Sequence, residues 1–168
     1  VDFRDIAPSV QSKETISLKE ASRLFFERHT DEEIQAKVSS TKVSAFLMRE
    51  MAKTRRFSEA RLGSYVDEVD PKEQSQFCAM TIKLDDGSVF VAYSGTDSTM
   101  IGWRENFNMS FLTETPGQLK AVEYLNQTIS PRQKKIRIGG HSKGGNLAVY
   151  ACIYCKESIQ NRILAVYS

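Results

Sequence analysis

Hydrophobic positions in the first part of the chain recur at helical spacing. Residues 17–20, Ser-Leu-Lys-Glu, match a capping box, in which the serine side chain accepts the N–H of the third helical residue while Glu20 reaches back to the cap. This motif predicts a helix from about residue 17 to 28. A second apolar stripe with i, i+3, i+4, i+8 spacing predicts another helix, with its apolar face in the core. The stripe consists of Val43, Phe46, Leu47 and Met51.

From about residue 70 onward the pattern changes to strands. Residues 77–84 and 89–93 are rich in β-forming residues and flank Asp85-Asp86-Gly87. An Asp-Gly turn between two such runs predicts an antiparallel hairpin. The polar stretch 67–75 is interpreted as the connection that precedes it.

The last third of the chain alternates between helix and strand signals. Residues 115–118, Thr-Pro-Gly-Gln, predict a helix start, with Leu119, Val122 and Leu125 as its buried stripe. A short strand over 135–138, an apolar helix over 146–155 and a strand over 163–167 follow. Strand, helix and strand in this order predict a βαβ unit with parallel pairing.

Composition narrows the function classes. The 168 residues are 40% hydrophobic and 26% charged, which predicts a single domain. A net charge of +2 argues against nucleic-acid binding. The longest apolar run, 147–155, is too short for a membrane span of about 20 residues, and the start lacks a secretory signal. We therefore expect a soluble, cytoplasmic protein without stable membrane insertion.

Metal and disulfide chemistry are not expected. The three cysteines are an odd number without the density of a disulfide scaffold. His29 and His141 do not have zinc-site spacing relative to the cysteines. His29 falls at the predicted end of the first helix, where a surface role is favoured over catalysis. We expect no metal site.

The candidate chemistry lies between the predicted strand and helix near residue 140. Residues 140–144, Gly-His-Ser-Lys-Gly, fit the G-x-S-x-G nucleophile elbow, in which a strained turn lifts a serine hydroxyl above the sheet. Gly140 and Gly144 are expected because side chains would collide in so tight a turn. The pattern predicts Ser142 as nucleophile and the Lys143 amide as an oxyanion donor.

Alternative interpretations of this turn are weaker. An ordinary glycine-rich turn remains possible, whereas phosphate-loop and dinucleotide-binding spacings do not fit. Lys143 as a base in a Ser-Lys pair is disfavoured, because its side chain should leave the helix in another direction than that of Ser142. His141 precedes the nucleophile and is expected to pack.

Three segments carry a family resemblance: 90–97, 102–111 and 139–150. They resemble the Mbeg1-like branch of the α/β hydrolases, bacterial proteins akin to class 3 lipases, from about Phe57 to the last residue. The resemblance implies one α/β-hydrolase-like domain over 1–168, with a mixed sheet flanked by helices. From the helical pattern we expect residues 1–56 to form a helical N-terminal portion, and we expect 57–168 to form the hydrolase-like core.

The resemblance also implies roles for two further segments. Thr96 would supply a second oxyanion-hole donor, and Trp103 and Phe107 would lie on a lid-like segment. The alternatives are a strand-end turn residue for Thr96 and a core anchor for Trp103.

The triad acid and histidine of α/β hydrolases follow the nucleophile along the chain. No histidine follows Ser142, and Glu157 is fifteen residues away along the predicted helix, on the order of 20 Å. We therefore expect the domain to be truncated at its C-terminus, with both groups downstream.

The expected function is that of a serine hydrolase acting on a lipid or other acyl ester, without a metal or organic cofactor. The residues given would be catalytically incomplete. The alternative is a non-catalytic hydrolase-like binding module that uses residues 103–111 as its contact surface.

Overall fold

The computed structural model describes residues 1–36, 43–73, 75–96, 100–109 and 113–168, with only the backbone of 101, 105 and 106. Its strands are β1 (Ile16–Ser17), β2 (Arg61–Asp70), β3 (Ser75–Lys83), β4 (Val89–Tyr93), β5 (Ile136–Gly140) and β6 (Ile163–Tyr167). Its helices are α1 (Leu18–Arg28), α2 (Asp31–Ala36), α3 (Val43–Lys53), α4 (Met100–Asn108), α5 (Pro116–Thr128), α6 (Lys143–Tyr154) and α7 (Glu157–Gln160).

The six strands form one mixed sheet in sequence order, β1 to β6. Strands β1 to β4 pair antiparallel, whereas β4–β5 and β5–β6 pair parallel. The predicted hairpin is confirmed, and Gly87 in its turn has a φ of 76°, which favours glycine. The predicted βαβ unit is also confirmed, because β5 and β6 pair parallel and α6 lies between them along the chain.

Side-chain caps fix the starts of two helices. The Ser17 hydroxyl accepts the Glu20 amide at 3.1 Å, as predicted. The predicted return contact from Glu20 to the cap is wrong, because the Glu20 carboxylate accepts from Arg23 instead. At the start of α5 the capping box is complete, because Thr115 and Gln118 each bind the other's backbone amide. These contacts satisfy amides that a helix start leaves without intrahelical partners.

Helices pack on both faces of the sheet. Alternating strand residues such as Ala79 and Val91 face a cluster formed with α5 and α6. Met80, the next residue after Ala79, belongs to the opposite face and packs with the N-terminal helices. The fold is therefore a mixed α/β structure with a sheet flanked by helices.

Two predicted buried stripes are partly wrong. On α3, Val43 and Leu47 are 66% and 59% exposed, and the buried face instead consists of Ala45, Met48 and Ala52. Small alanines let the helix approach its neighbours closely, which brings this adjacent stripe to the core. On α5, Leu119 is 50% exposed and the stripe runs through Ala121, Tyr124 and Leu125.

Strand β2 was not predicted, and part of it was wrongly interpreted as a connection. Its two-residue alternation is interrupted by a register shift between Gly63 and Val66. Ser64, inside this irregularity, has a φ of 51°, which a non-glycine residue seldom adopts. A bulge of this kind hides the strand period in the sequence.

Across the described ranges, each helix is too short or too polar to cross a lipid bilayer.

Candidate functional site

The turn between β5 and α6 presents a serine in a strained conformation. Ser142 has a φ of 58° and a ψ of −123° and is the N-terminal cap residue of α6. Its side chain is exposed and forms no capping hydrogen bond to the described first turn of α6. This backbone conformation costs a non-glycine residue about 1–3 kcal/mol, and residues strained in this way are often found at active sites.

Close backbone packing explains the glycines around Ser142. A Cβ atom at Gly140 would lie 2.5 Å from the carbonyl carbon of Gly144. A Cβ atom at Gly144 would collide with the Tyr93 carbonyl oxygen at the end of β4. The turn thus fits against β4 only if both positions lack side chains, as the G-x-S-x-G pattern predicts.

The segment after β4 lies beside Ser142. Strands β4 and β5 run parallel with Tyr93 opposite Gly140, so their carboxyl ends meet at the same sheet edge. A Cβ atom at Gly95 would lie 2.8 Å from the His141 carbonyl oxygen and 3.9 Å from the Ser142 Cβ. The structure therefore places Gly95, the residue before Thr96, against the turn that carries Ser142.

Thr96 carries a buried hydroxyl whose hydrogen-bonding capacity is unused. Its Oγ1 atom is inaccessible to solvent and has no hydrogen-bond partner among the described residues. An unsatisfied buried hydroxyl costs about 1–3 kcal/mol. A buried hydroxyl left in this state calls for a physical explanation.

Lys143 is the first residue of α6, directly after Ser142. The three following amides bind within the turn, since Gly144 donates to the His141 carbonyl and Gly145 and Asn146 donate to the Ser142 carbonyl. The Lys143 side chain is only 2% exposed, and its Nζ donates to Gln76 of β3. The Lys143 side chain therefore extends from the turn toward β3. Because its Nζ binds Gln76 there, this direction disfavours Lys143 as the base of a Ser-Lys pair.

Neither histidine takes the place of a triad base in the described structure. His141 is exposed, so its predicted packing role is wrong; its carbonyl group, however, accepts the Gly144 amide at 3.0 Å. His29 caps the C-terminus of α1 and packs on the Phe25 ring, with 4.6 Å between the centroids. That contact belongs to the N-terminal helices rather than to the serine turn.

An exposed apolar face lies on α4. Met100, Trp103 and Phe107 are 72%, 61% and 64% exposed, and their spacing places them on one side of the helix. Trp103 is therefore not a core anchor. The lid role of Trp103 and Phe107 stays a prediction.

Buried polar contacts hold the elements around the serine turn. The Tyr93 hydroxyl donates to the Ala121 carbonyl at 2.8 Å and ties the end of β4 to α5; burial raises the pKa of this phenol well above its usual range. The Gln118 side chain donates to Asn146 on α6 at 2.8 Å. Helix α5 thus braces both elements that meet at Ser142.

Other candidate sites are not associated with Ser142. A groove of about 610 Å³ lies between α5 and α6, with Leu119, Tyr150 and Tyr154 among its lining residues, but Ser142 does not line it. Within the described ranges, no cluster of three or more histidine, cysteine, aspartate or glutamate residues has metal-site geometry. Burial raises the pKa of Cys78 and of Cys155 to about 11, as for unreactive structural thiols.

Sequence reasoning missed Gln76 as a neighbour of the candidate site. Gln76 lies in β3, 67 positions before Lys143, and no short-range pattern links the two residues. The sequence carried no clear signal for it, because Gln76 falls between the predicted connection 67–75 and the predicted strand 77–84.

Comparison with known proteins gives a family assignment. The profile of the Mbeg1-like family matches residues 51–168. No curated protein and no solved structure matches the chain. The matched range contains the serine turn, the β4 end and helix α4. Since it covers more than half of the chain, the protein belongs to the Mbeg1-like family.

Proposed function

We propose that this protein is a serine hydrolase of the α/β-hydrolase type that cleaves carboxylic esters, with Ser142 as nucleophile. The observation that carries the proposal is the conformation of Ser142: a strained, exposed serine between a strand and a helix, surrounded by glycines that its neighbours require. Strain of this kind is retained more readily where it serves a reaction.

In the proposed reaction, the Ser142 Oγ attacks the ester carbonyl carbon while a general base takes its proton. The carbonyl π electrons move to oxygen, and the amides of Lys143 and Thr96 stabilise the resulting oxyanion. Collapse of this intermediate expels the alcohol, which receives the proton, and leaves an acyl-serine. Water then attacks the acyl group and releases the acid. The sequence of steps requires neither a metal nor an organic cofactor.

The base and its acidic partner are the missing parts of this mechanism. Neither His29 nor His141 is positioned for the role, and serine without a base is a weak nucleophile. We propose that residues outside 1–168 supply both groups, downstream in the same protein as in the class 3 lipases that the sequence resembles.

An apolar acyl ester is the proposed substrate class. The exposed face of α4 follows the β4 end by only a few residues, and Trp103 and Phe107 would provide apolar surface for an acyl chain. The lipase resemblance favours the same class. A lid-like role for α4 is part of this proposal.

The test is hydrolysis of p-nitrophenyl esters of increasing acyl length by the full-length protein. Hydrolysis should fall to the uncatalysed background in Ser142→Ala. Ser64→Ala is the matched control, because Ser64 also has a positive φ but lies in the β2 irregularity. It should retain the wild-type rate. Equal hydrolysis by wild type and Ser142→Ala would contradict the proposal.

The second candidate function is a non-catalytic binding module. The exposed face of α4 is the specific observation in its favour, since a contiguous apolar surface is also typical of interaction sites. This candidate predicts no ester hydrolysis by the wild type at any acyl length, so the same panel separates the two functions.

A further inference from the structure

The Lys143 side chain is buried although it belongs to an exposed turn. Ser142 before it is exposed, whereas Lys143 is 2% exposed and is one of the largest fully buried side chains among the described residues. Lysine is almost never fully buried unless it has polar partners. Its position beside the proposed nucleophile calls for a physical explanation.

Gln76 supplies two acceptors for this lysine. The Lys143 Nζ donates to the backbone carbonyl of Gln76 at 2.5 Å and to its side-chain Oε1 at 2.6 Å. Gln76, itself 2% exposed, lies near the start of β3. In the sheet order, β4 stands between β3 and β5. The lysine therefore links the turn after β5 to a strand that β5 does not contact directly.

A lysine at this position carries energetic costs that an apolar side chain would not have. Cations are disfavoured in the first turn of a helix, where the macrodipole is positive. A buried amine also loses hydration that an apolar side chain of similar length would not need. A lysine side chain instead provides N–H donors at the end of a long chain, and these donors can bind the acceptors of Gln76.

The attachment lies at the start of a glycine-rich segment. Gly144 and Gly145 follow Lys143, and glycine leaves the chain more conformational freedom than any other residue. The Lys143 amide lies in this segment, and in the proposed reaction its direction determines whether it meets the oxyanion. A displacement of about 1 Å costs on the order of 100-fold in rate.

We propose that Lys143 is a positioning residue: its side chain, held by Gln76, fixes its own backbone amide in the oxyanion hole. This inference rests on the proposed function and deepens it. The lysine side chain acts through its amide and takes no part in bond making or proton transfer.

The test is the kinetics with which a fluorophosphonate probe labels Ser142 in the full-length protein, because the phosphonyl oxygen occupies the oxyanion hole. Lys143→Met keeps a long side chain but removes the donor. We expect its limiting labelling rate to fall about 10- to 100-fold. The probe's half-saturation concentration should stay within about twofold, since ground-state binding is not affected. A purely structural role would lower the labelled fraction but leave the rate constant of folded molecules unchanged.

A second variant and a control complete the experiment. Gln76→Met removes one acceptor and leaves the backbone carbonyl, so a smaller fall in rate is expected. If the two residues act through one contact, the double variant labels no more slowly than Lys143→Met. Thr81→Val is the matched control: it removes a buried hydrogen bond to the Gly63 carbonyl from the same strand and should keep the wild-type rate constant.

The outcomes separate the two proposals. Wild-type labelling of Ser142 with unchanged rate constants in Lys143→Met and Gln76→Met would overturn the positioning role and leave the hydrolase proposal intact. Failure of the wild type to label would overturn both. If Lys143→Met does not fold, Gln76→Met decides alone, and an unchanged rate constant overturns the inference.

Discussion

The Cα of Gly144 packs against the carbonyl oxygen of Tyr93 so closely that a Cβ atom on Gly144 would collide with it. Tyr93 ends β4, and Gly144 is the second residue of α6. This contact brings the start of the helix onto the end of the neighbouring strand. The position of Ser142 relative to Thr96 depends on it.

Gly144→Ala should destabilise the protein by about 1–3 kcal/mol, because the added methyl group forces α6 away from β4. Chemical denaturation measures the change. Gly87→Ala is the control: its Cβ meets no atom within 4 Å, so only strain from its φ of 76° is expected. Both variants lose stability, but only Gly144→Ala should also lose ester hydrolysis. Full activity in Gly144→Ala would contradict the importance of the contact.

Replacing the strained Ser142 by glycine should abolish ester hydrolysis and raise the stability of the protein. Ser142→Gly relieves the positive φ and should raise the free energy of unfolding by about 1 kcal/mol, while ester hydrolysis is lost. Ser64→Gly relieves similar strain in β2 and should be stabilising without loss of hydrolysis. Urea unfolding and an ester assay on both variants check this. A Ser142→Gly protein less stable than wild type would show that the serine is not strained.

Replacing the buried Thr96 hydroxyl is a second substitution that we expect to stabilise the protein. Thr96→Val removes an unsatisfied polar atom and should raise the free energy of unfolding by about 1 kcal/mol. Thr115→Val is the contrast, since the Thr115 hydroxyl caps α5 and its loss should cost about 1 kcal/mol. Thermal or chemical unfolding distinguishes them. Equal destabilisation by the two variants would mean that the Thr96 hydroxyl is satisfied in solution.

Acid should weaken the β3–β4 hairpin through Asp86. Hydrogen bonds from Ser88, and further the Arg137 guanidinium, lower the pKa of the Asp86 carboxyl to about 2. Because this value is below that of the unfolded chain, near 3.9, the stabilisation is present above about pH 4 and is lost as the pH falls toward 2. Unfolding of Asp86→Asn across this range should be less pH-dependent than that of wild type. Identical pH profiles for wild type and Asp86→Asn would contradict the assignment.

The sequence predicted the elements around the candidate site better than the N-terminal half. The Asp-Gly hairpin, the Thr115 capping box and the βαβ unit depend on short-range signals, and the structure confirms them. Strand β2 was missed because its bulge interrupts the alternation. The Lys143–Gln76 contact joins residues far apart in the sequence, and only the sheet order brings them together.

The exposed face of α4 shows another limit of sequence reasoning. Helical spacing shows that apolar residues share one side of a helix, but it does not show whether that side is buried. Helix α4 was not predicted from spacing, and the structure was needed to show that Met100, Trp103 and Phe107 share one exposed face.

The most direct test of the account is to treat the full-length protein with a fluorophosphonate and to locate the adduct by peptide mass spectrometry. We predict one phosphonylated residue, Ser142, and no adduct in Ser142→Ala, because Ser142 is the hydroxyl that we propose to lie beside the oxyanion donors. No adduct on the wild-type protein, or equal modification of Ser142→Ala at another serine, would contradict it.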